Sequence, residues 1–436
     1  MHSLIKWLYP GLHVKRWLLL LLFGITFTSL GIAYLMTHAY RTQHFPEWVY
    51  YATLQFIDRP VRGLLFLGLG IGIAVVAMIQ LQRSLLAPFL TAGRNSIVDL
   101  LYQHRYLRRG PRIVAIGGGT GLSTLLRGLK EYTTNLTAIV TVADDGGSSG
   151  RLRSEFGILP PGDFRQCLVA LADVEPLMQR LFQYRFREGQ GLEGHSFGNL
   201  FILAMTEITG NFERALRESS RVLAVRGQIL PSTLENITLC AEYDDAATVA
   251  GESLIPKRGR PIRRLFLQPA QPPAYPEAIR AILEADLIVI GPGSLYTSVL
   301  PNLLVEDITR AIRASTALKV YVCNVATEPG ETDNFQVRDY VRVLEEHVGP
   351  GLFQYVLTNS NLRPAAAASP TVPAVAPGDL GTAAYTVVMA DVVDAHDPRR
   401  HDPRKLAQSL MRLYYEYRGQ SRSLAESELV PQLAGQ

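Results

Sequence analysis

Several glycine-containing stretches combine backbone that a ligand can approach closely with side chains able to hold a phosphate or a sugar. In the first, Gly117-Gly118-Gly119-Thr120-Gly121-Leu122-Ser123 follows a β-branched run and opens a helical pattern. With no Cβ in the way, its amides can converge on an anion. It is not a Walker A loop, which closes on Gly-Lys-Ser/Thr, and Leu122 stands where the dinucleotide-binding G-x-G-x-x-G has its third glycine. A tight strand-to-helix connection is the plain alternative. In the second, Asp144-Asp145-Gly146-Gly147-Ser148-Ser149-Gly150-Arg151, two carboxylates precede a glycine loop, two hydroxyls and a cation. The acids could accept from ribose hydroxyls or hold Mg²⁺ through oxygen ligands. Alternation along a strand lets at most one of them face a ligand unless the turn redirects the other. An Asp-Gly surface turn is the alternative.

Three further clusters sit where loops meet helical patterns. Pro160-Pro161-Gly162-Asp163-Phe164-Arg165 reads as a turn with Asp163 as N-cap, and Arg165 is within reach of a pocket. Gly194-His195-Ser196-Phe197-Gly198-Asn199 precedes an apolar helix and offers an amide-rich N-terminus with polar side chains. His195 is read either as a structural histidine or as a proton carrier. Gly291-Pro292-Gly293-Ser294-Leu295-Tyr296-Thr297-Ser298 is another glycine loop with hydroxyls for phosphate or sugar, and Asn324 ends a strand in the same manner. No Ser-His-Asp signature, His-x-x-x-His pair or Cys-x-x-Cys pair supports a hydrolase or zinc reading. Nucleotide or phosphosugar recognition remains, and spacing leaves open whether the phosphate is held or transferred.

These loops need strands to carry them. From Arg112 onward, short β-branched runs alternate with amphipathic ones, which predicts an α/β layer fold with a parallel sheet. Strands are expected at 113–116, 136–143, 286–291, 319–325 and 385–393. Helices are expected over PLMQRLFQYRF, NLFILAMTEIT, EAIRAILEA and RKLAQSLMRLYYEY. Adjacent parallel strands present their carboxyl-end loops to one crevice, so the first two glycine loops are expected to line one pocket. The Ala/Pro/Gly-rich stretch from Arg363 to Thr382 reads as a linker, and residues 419–436 as a loose tail.

Ahead of this domain, no Lys, Arg, Asp or Glu interrupts Trp17 to Tyr40, nor the run between Arg62 and Arg83. About 20 such residues cross a hydrocarbon core, so residues 1–85 read as a transmembrane helical hairpin, with 86–111 a basic juxtamembrane linker. A cleaved signal peptide explains the first run less well, since it exceeds a normal h-region and a second run follows. Nine basic residues flank the two runs on the terminal side (Lys6, Lys15, Arg16, Arg83, Arg94, Arg105, Arg108, Arg109, Arg112), against Arg41, Arg59 and Arg62 between them. That bias puts both ends, and the large domain, in the cytoplasm. The formal charge of +4, from 43 basic and 39 acidic residues, is too balanced to be an electrostatic footprint for DNA or RNA, so no nucleic-acid partner is expected. Cys167, Cys240 and Cys323 read as buried thiols.

The stretches IGGGTGLSTLLRGLK, TAIVTVADDGGSSGRLR, PPGDFRQCLVALAD, GHSFGNLFI, VRGQILPST, GESLIPK and IGPGSLYTSVLPNLL together resemble the YvcK/CofD-like family, from about Arg112 to Asn334 and more faintly to about Leu410. The resemblance implies a Rossmann-like domain over 112–418. It is closer to the gluconeogenesis factors, which bind UDP-sugars such as UDP-N-acetylglucosamine and are tied to cell shape and envelope synthesis, than to 2-phospho-L-lactate transferase of coenzyme F420 synthesis, which uses a GDP-linked donor and Mg²⁺. It implies that Gly118, Gly119, Thr120 and Gly121 meet the diphosphate. Asp144, Asp145, Gly147 and Ser148 would lie beside the nucleotide or a metal, with His195, Ser196 and Asn199 in the same cleft and Arg400 on the ligand. Gly293 and Ser294 are added from their own loop. Sugar-binding members carry a ligand-contacting tyrosine in a segment that here is Pro364 to Pro377, which has none. Envelope-synthesis protein partners and a homo-oligomer are the expected associations.

Overall fold

The computed structural model describes residues 14–42, 46–86, 107–173, 176–362, 374–376 and 385–433. The chain divides into two units, Met1–Tyr106 and Leu107–Gln436. In the first, α1 (Val14–Thr42) and α3 (Arg59–Leu86) are helices of 29 and 28 residues, with the short α2 (Glu47–Ala52) between them. At about 1.5 Å per residue either exceeds the ~30 Å hydrocarbon thickness. Only Arg59–Gln80, with mean hydropathy 2.2 and nothing buried, is apolar over enough length to cross a membrane among the described residues. In α1 the apolar stretch that meets the same criteria over a shorter length is Phe23–Leu35. Its Phe23 and Leu35, like Leu64 of α3, are exposed. The expected linker, 86–111, lies mostly outside the described residues.

The second unit is built on seven parallel strands in the order β10-β9-β8-β7-β1-β2-β3. They are β1 (Ile113–Gly117), β2 (Leu136–Val140), β3 (Gln228–Pro231), β7 (Leu287–Ile290), β8 (Leu318–Val322), β9 (Tyr355–Asn359) and β10 (Thr386–Ala390). Every residue of β1, β7 and β8 is buried, as both faces of a parallel sheet under helices require. The chain builds outward from β1 through β2 to β3, then returns to the other side of β1 with β7 and builds the opposite way. Ile113 accordingly pairs with Leu136 on one flank and Leu287 on the other. The reversal makes the β1/β7 boundary the topological switch point, where open α/β sheets bind ligands.

The five expected strands are all present; β2, β7 and β10 are shorter than expected, β1 runs one residue further to Gly117, and β8 starts one residue earlier, at Leu318, and stops at Val322. β2 stops at Val140 rather than 143 because the Thr141 hydroxyl accepts from the Ala143 amide at 3.2 Å, turning the chain off the ladder. A second sheet, antiparallel in the order β5-β4-β6, was not foreseen: β4 (Thr238–Tyr243), β5 (Thr248–Ala250), β6 (Ile262–Gln268). The helices that matter for the site are α4 (Gly119–Leu129), α5 (Gly147–Phe156), α6 (Pro161–Leu171), α7 (Phe197–Thr209) and α8 (Pro403–Leu433). The last is continuous through residues expected to be a loose tail. It packs on α4 at Gly128, where any Cβ would run into the Pro403 carbonyl. Because α8 docks there, the segment before it, Asp394 to Asp402, is carried beside the first glycine loop. All three cysteines are buried and free.

Candidate functional site

A cleft of about 540 Å³ opens at the switch point. One wall is the first glycine loop, Gly118, Thr120 and Gly121. The opposite wall is the loop after β7, Pro292 to Ser294 with Ser298. Asn324 to Pro329 after β8 form the floor side, and Arg399, Arg400 and His401 complete the rim. The first-turn amides of α4 lack intrahelical partners by construction, which gives this end a partial positive charge.

Glycines serve packing here as much as ligand approach. Gly119 sits at φ +60°, where a side chain is strained although its Cβ would meet nothing closer than the Ser298 hydroxyl at 3.7 Å. At Gly121 a Cβ would lie 2.5 Å from the Pro292 carbonyl oxygen, so loop one and the β7 loop touch backbone to backbone. Fully buried Asn302 ties them further: its Nδ2 donates to the carbonyls of Gly117 (3.0 Å) and Ser298 (2.8 Å).

Asp163 lies directly behind the first loop. It was expected to cap a helix, but Pro160 holds the N-cap position and Asp163 is in the first turn of α6. Its buried carboxyl accepts from the Gly119 amide, and a Cβ on Gly118 would lie 2.5 Å from its Oδ2. Burial, and then the charge of Asp144, pushes it up to about 7. The pattern carried a sign of this, since proline favours N1 and Pro161 therefore places Asp163 two residues inside the helix.

A second acidic group backs the β7 loop. The Ser294 hydroxyl meets Glu328 and also Glu331, the latter at 2.5 Å, and Thr297 reaches Glu331 at 3.4 Å. One hydroxyl proton cannot serve two carboxylates, so one carboxyl keeps its own proton. Burial, then Glu328, pushes Glu331 up to about 7. Neither glutamate was singled out in the sequence, where they are an unremarkable E-x-x-E beyond a strand.

The residues of the second glycine loop are not among those lining this cleft. Gly147, at φ +49°, opens α5 rather than continuing a loop. Asp144 accepts from the Gly146 amide at 2.9 Å and bonds Ser149, while burial raises its pKa. Asp145 turns away to accept from the Ser253 amide at 2.8 Å, holding a 3₁₀ turn over Glu252–Leu254. Glu252 stands close to both, pushed up to about 8 by burial and then by Asp144, Asp145 and Asp163. The paired aspartates diverge, and among the described residues no three His, Cys, Asp or Glu side chains are grouped to hold a metal.

Ser148, His195, Ser196 and Asn199 form one buried network. His195 Nδ1 is 2.9 Å from the Ser148 hydroxyl, Asn199 Nδ2 donates to that hydroxyl at 3.0 Å, and Arg165 Nε donates to Asn199 Oδ1 at 2.9 Å. Ser196 caps α7 by accepting from the Asn199 amide. Since the Ser148 oxygen already accepts from Asn199, its own proton is free to point at His195. Burial and Arg151 lower the His195 pKa and keep the ring a neutral acceptor.

Of the candidates, then, Gly118, Thr120, Gly121, Gly293, Ser294 and Arg400 line the cleft and Gly119 stands in its wall. Asp144, Asp145, Gly147, Ser148, His195, Ser196 and Asn199 gather on the β2 side, and Asp163 sits between the two groups. Arg400 is half-tethered by Asp397, 3.2 Å from its Nε, and remains largely exposed. The tyrosine-free stretch is mostly outside the described residues; within it, Val375 is buried and its amide donates to the Val325 carbonyl.

The family model described as 2-phospho-L-lactate transferase CofD matches residues 113–392. The gluconeogenesis factor of Bacillus subtilis (strain 168) is 56% identical over 250 residues, 57% of this chain and 79% of its own length. A Nostoc sp. (strain PCC 7120 / SAG 25.82 / UTEX 2576) protein, also named as a gluconeogenesis factor, is 48% identical over 423 residues, 94% of this chain and 92% of its own. The crystal structure of a Bacillus halodurans protein superposes with a TM-score of 0.66 at 47% identity, covering 70% of this chain and 100% of that one. Fold, loops and relatives agree, and the chain belongs to the YvcK/CofD-like family, with the gluconeogenesis factors among its relatives.

Proposed function

We propose that this protein is a membrane-anchored, nucleotide-sugar-binding regulator whose ligand is a UDP-sugar of the UDP-N-acetylglucosamine type, acting on cell shape and envelope synthesis through protein partners. The observation that carries the reading is the convergence, at the switch point, of the α4 N-terminus, a second glycine loop and two arginines on one cleft. Amides of Thr120 and Gly121 suit the oxygens of a diphosphate, Arg399 and Arg400 its charge, and Ser294 and Asn324 a sugar's hydroxyls. The names of the relatives support a regulatory role. Two helices of 29 and 28 residues, one of them apolar over Arg59–Gln80 and the other over Phe23–Leu35, together with the nine-to-three distribution of basic residues, support a two-pass anchor with the binding domain in the cytoplasm.

Recognition of this kind needs no metal, so binding persists in EDTA. Titration calorimetry on the detergent-solubilised chain tests it: UDP-N-acetylglucosamine gives a saturable isotherm with and without EDTA, and GDP binds more weakly. The match to the transferase family model keeps a second reading in view, phospholactate transfer from a GDP-linked donor. Mg²⁺-dependent transfer to a deazaflavin acceptor that disappears in Asp144→Asn replaces the regulator with an enzyme. Protease added to intact spheroplasts leaves the large domain uncut; its digestion while a cytoplasmic marker survives reverses the orientation.

A further inference from the structure

His401 borders the cleft, yet nothing in the loop reading uses it. The imidazole is 93% buried, and its Nε2 lies 3.2 Å from the Cys323 carbonyl oxygen. A carbonyl can only accept, so Nε2 carries the hydrogen and Nδ1 is left as a bare lone pair. No described group bonds Nδ1. The buried side-chain polar atoms without a partner, among the described residues, belong to Ser219, Ser232, Asn302 and Thr358. Nδ1 is not one of them, so solvent reaches it, and the solvent space that His401 borders is the cleft.

The backbone that carries the ring is held in place. His401 pairs with Val393 in an isolated antiparallel bridge, and the next amide, of Asp402, donates to the Val392 carbonyl at 2.8 Å. Burial also pushes the imidazole down to about 4, so it stays neutral near pH 7.

An acceptor here differs from the donors it stands beside at the rim and first loop, as Glu328 does on the floor side. Arg399, Arg400 and the amides of Thr120 and Gly121 are donors, suited to phosphate oxygens. A lone pair set among them repels a phosphate oxygen and pairs only with a ligand O–H or N–H. We propose that His401 is a specificity-determining residue: its Nδ1 accepts a hydrogen bond from an O–H or N–H of the bound nucleotide sugar. The effect is to select a ligand that offers a donor next to its phosphates over one that offers phosphate alone. The proposal rests on the nucleotide-sugar reading above.

Two variants separate the ring's two nitrogens. In His401→Gln the side-chain amide can still donate to Cys323, but no acceptor remains at the Nδ1 position. In His401→Asn the amide oxygen occupies the Nδ1 position and the bond to Cys323 is lost. Calorimetry on the full chain in detergent, with UDP-N-acetylglucosamine and with UDP, reads both. We expect His401→Gln to bind UDP-N-acetylglucosamine about tenfold more weakly at a melting temperature close to the parent's. His401→Asn should keep its affinity within about threefold while melting lower. An equal loss with UDP places the donor on the nucleoside, and a loss with the sugar nucleotide alone places it on the sugar. Parent-like affinity in folded His401→Gln overturns the assignment while leaving the nucleotide-sugar reading intact. Should His401→Gln not fold, His401→Asn decides: a tenfold loss there overturns the assignment and retained affinity supports it. If the parent chain binds neither ligand, the nucleotide-sugar reading and this assignment fall together.

Discussion

The loop after β1 and the loop after β2 share a composition, glycines with hydroxyls and a nearby charge, and the fold uses them in opposite ways. At the β1/β7 boundary polar groups are left facing a cleft: Thr120 and Gly121 at the start of α4, and arginines that are largely exposed. On the β2 side they satisfy one another, Asp144 with Gly146 and Ser149, Asp145 with Ser253, Ser148 with His195 and Asn199. A buried polar network with its partners in place rigidifies a structure, whereas donors left open to solvent are available to a ligand. The difference lies in topology. β2 is flanked by β1 and β3 with connections running the same way, while between β1 and β7 the connections diverge and leave a crevice.

The sharpest way to break this contrast is at the contact between the two cleft walls. Gly121→Val puts a branched side chain against the Pro292 backbone, which cannot move as a side-chain tip could. A loss of roughly 2 to 4 kcal/mol in urea unfolding is expected, together with loss of nucleotide-sugar binding. An unchanged midpoint shows that the two loops do not touch.

A paired substitution then separates open from closed. Arg400→Ala removes an exposed cation, so affinity should fall by about 1 to 2 kcal/mol with little change in melting temperature. Asn199→Ala should do the reverse. It leaves Ser148 and Arg165 short of a partner inside the protein, costing about 1 to 3 kcal/mol of stability, while affinity changes less. If Asn199→Ala instead abolishes binding in a folded protein, the β2 side is part of the ligand site and the contrast fails.

The smallest effect is a pH dependence. Asp163, Glu331 and Glu252 titrate at about 7, 7 and 8 in the fold, above their ordinary values. The folded state therefore holds protons that the unfolded chain has released. These groups contribute stability that is complete below the ordinary carboxylate range and is lost as pH rises through about 7 to 8. His401 runs the other way. It is held down at about 4, so its contribution is present above its ordinary value and is lost as pH falls towards 4. Glu331→Gln keeps a neutral hydrogen-bonding group beside Ser294 and should flatten the decline between about pH 5 and 8, read from urea midpoints across a pH series. A decline as steep as the parent's shows that Glu331 does not hold the proton.

How legible the site was differs residue by residue. Gly118, Thr120 and Gly121 could be read because a β-branched run, a glycine cluster and an amphipathic run are contiguous, and each signal is local. Gly293 and Ser294 were found in the same way. Asp163 was misassigned because N-cap and first-turn acids are hard to tell apart without weighing Pro161 at the helix start. Glu328, Glu331 and His401 were missed because nothing in their neighbours along the chain reports that they are buried. The antiparallel sheet of β4, β5 and β6 escaped for a related reason: its strands bury residues irregularly, so alternation was weak.

The sequence by itself determined the parts whose cause is local: the parallel α/β class, strands expected at 113–116 and 286–291 and found within a residue of those bounds, and glycine loops at their carboxyl ends. Backbone sterics and hydrophobic period act over a few residues, so they can be read there. Only the tertiary structure decided which loops share a crevice. The order of parallel strands is set by long crossovers and by what packs on them, and this put the loop after β7, about 170 residues further along the chain, against the first loop, whose other side meets Thr141 just after β2. It also brought Arg400 and His401 to the rim, through the docking of α8 on α4 at Gly128. Distances of that kind depend on close packing between distant segments, which no local pattern encodes.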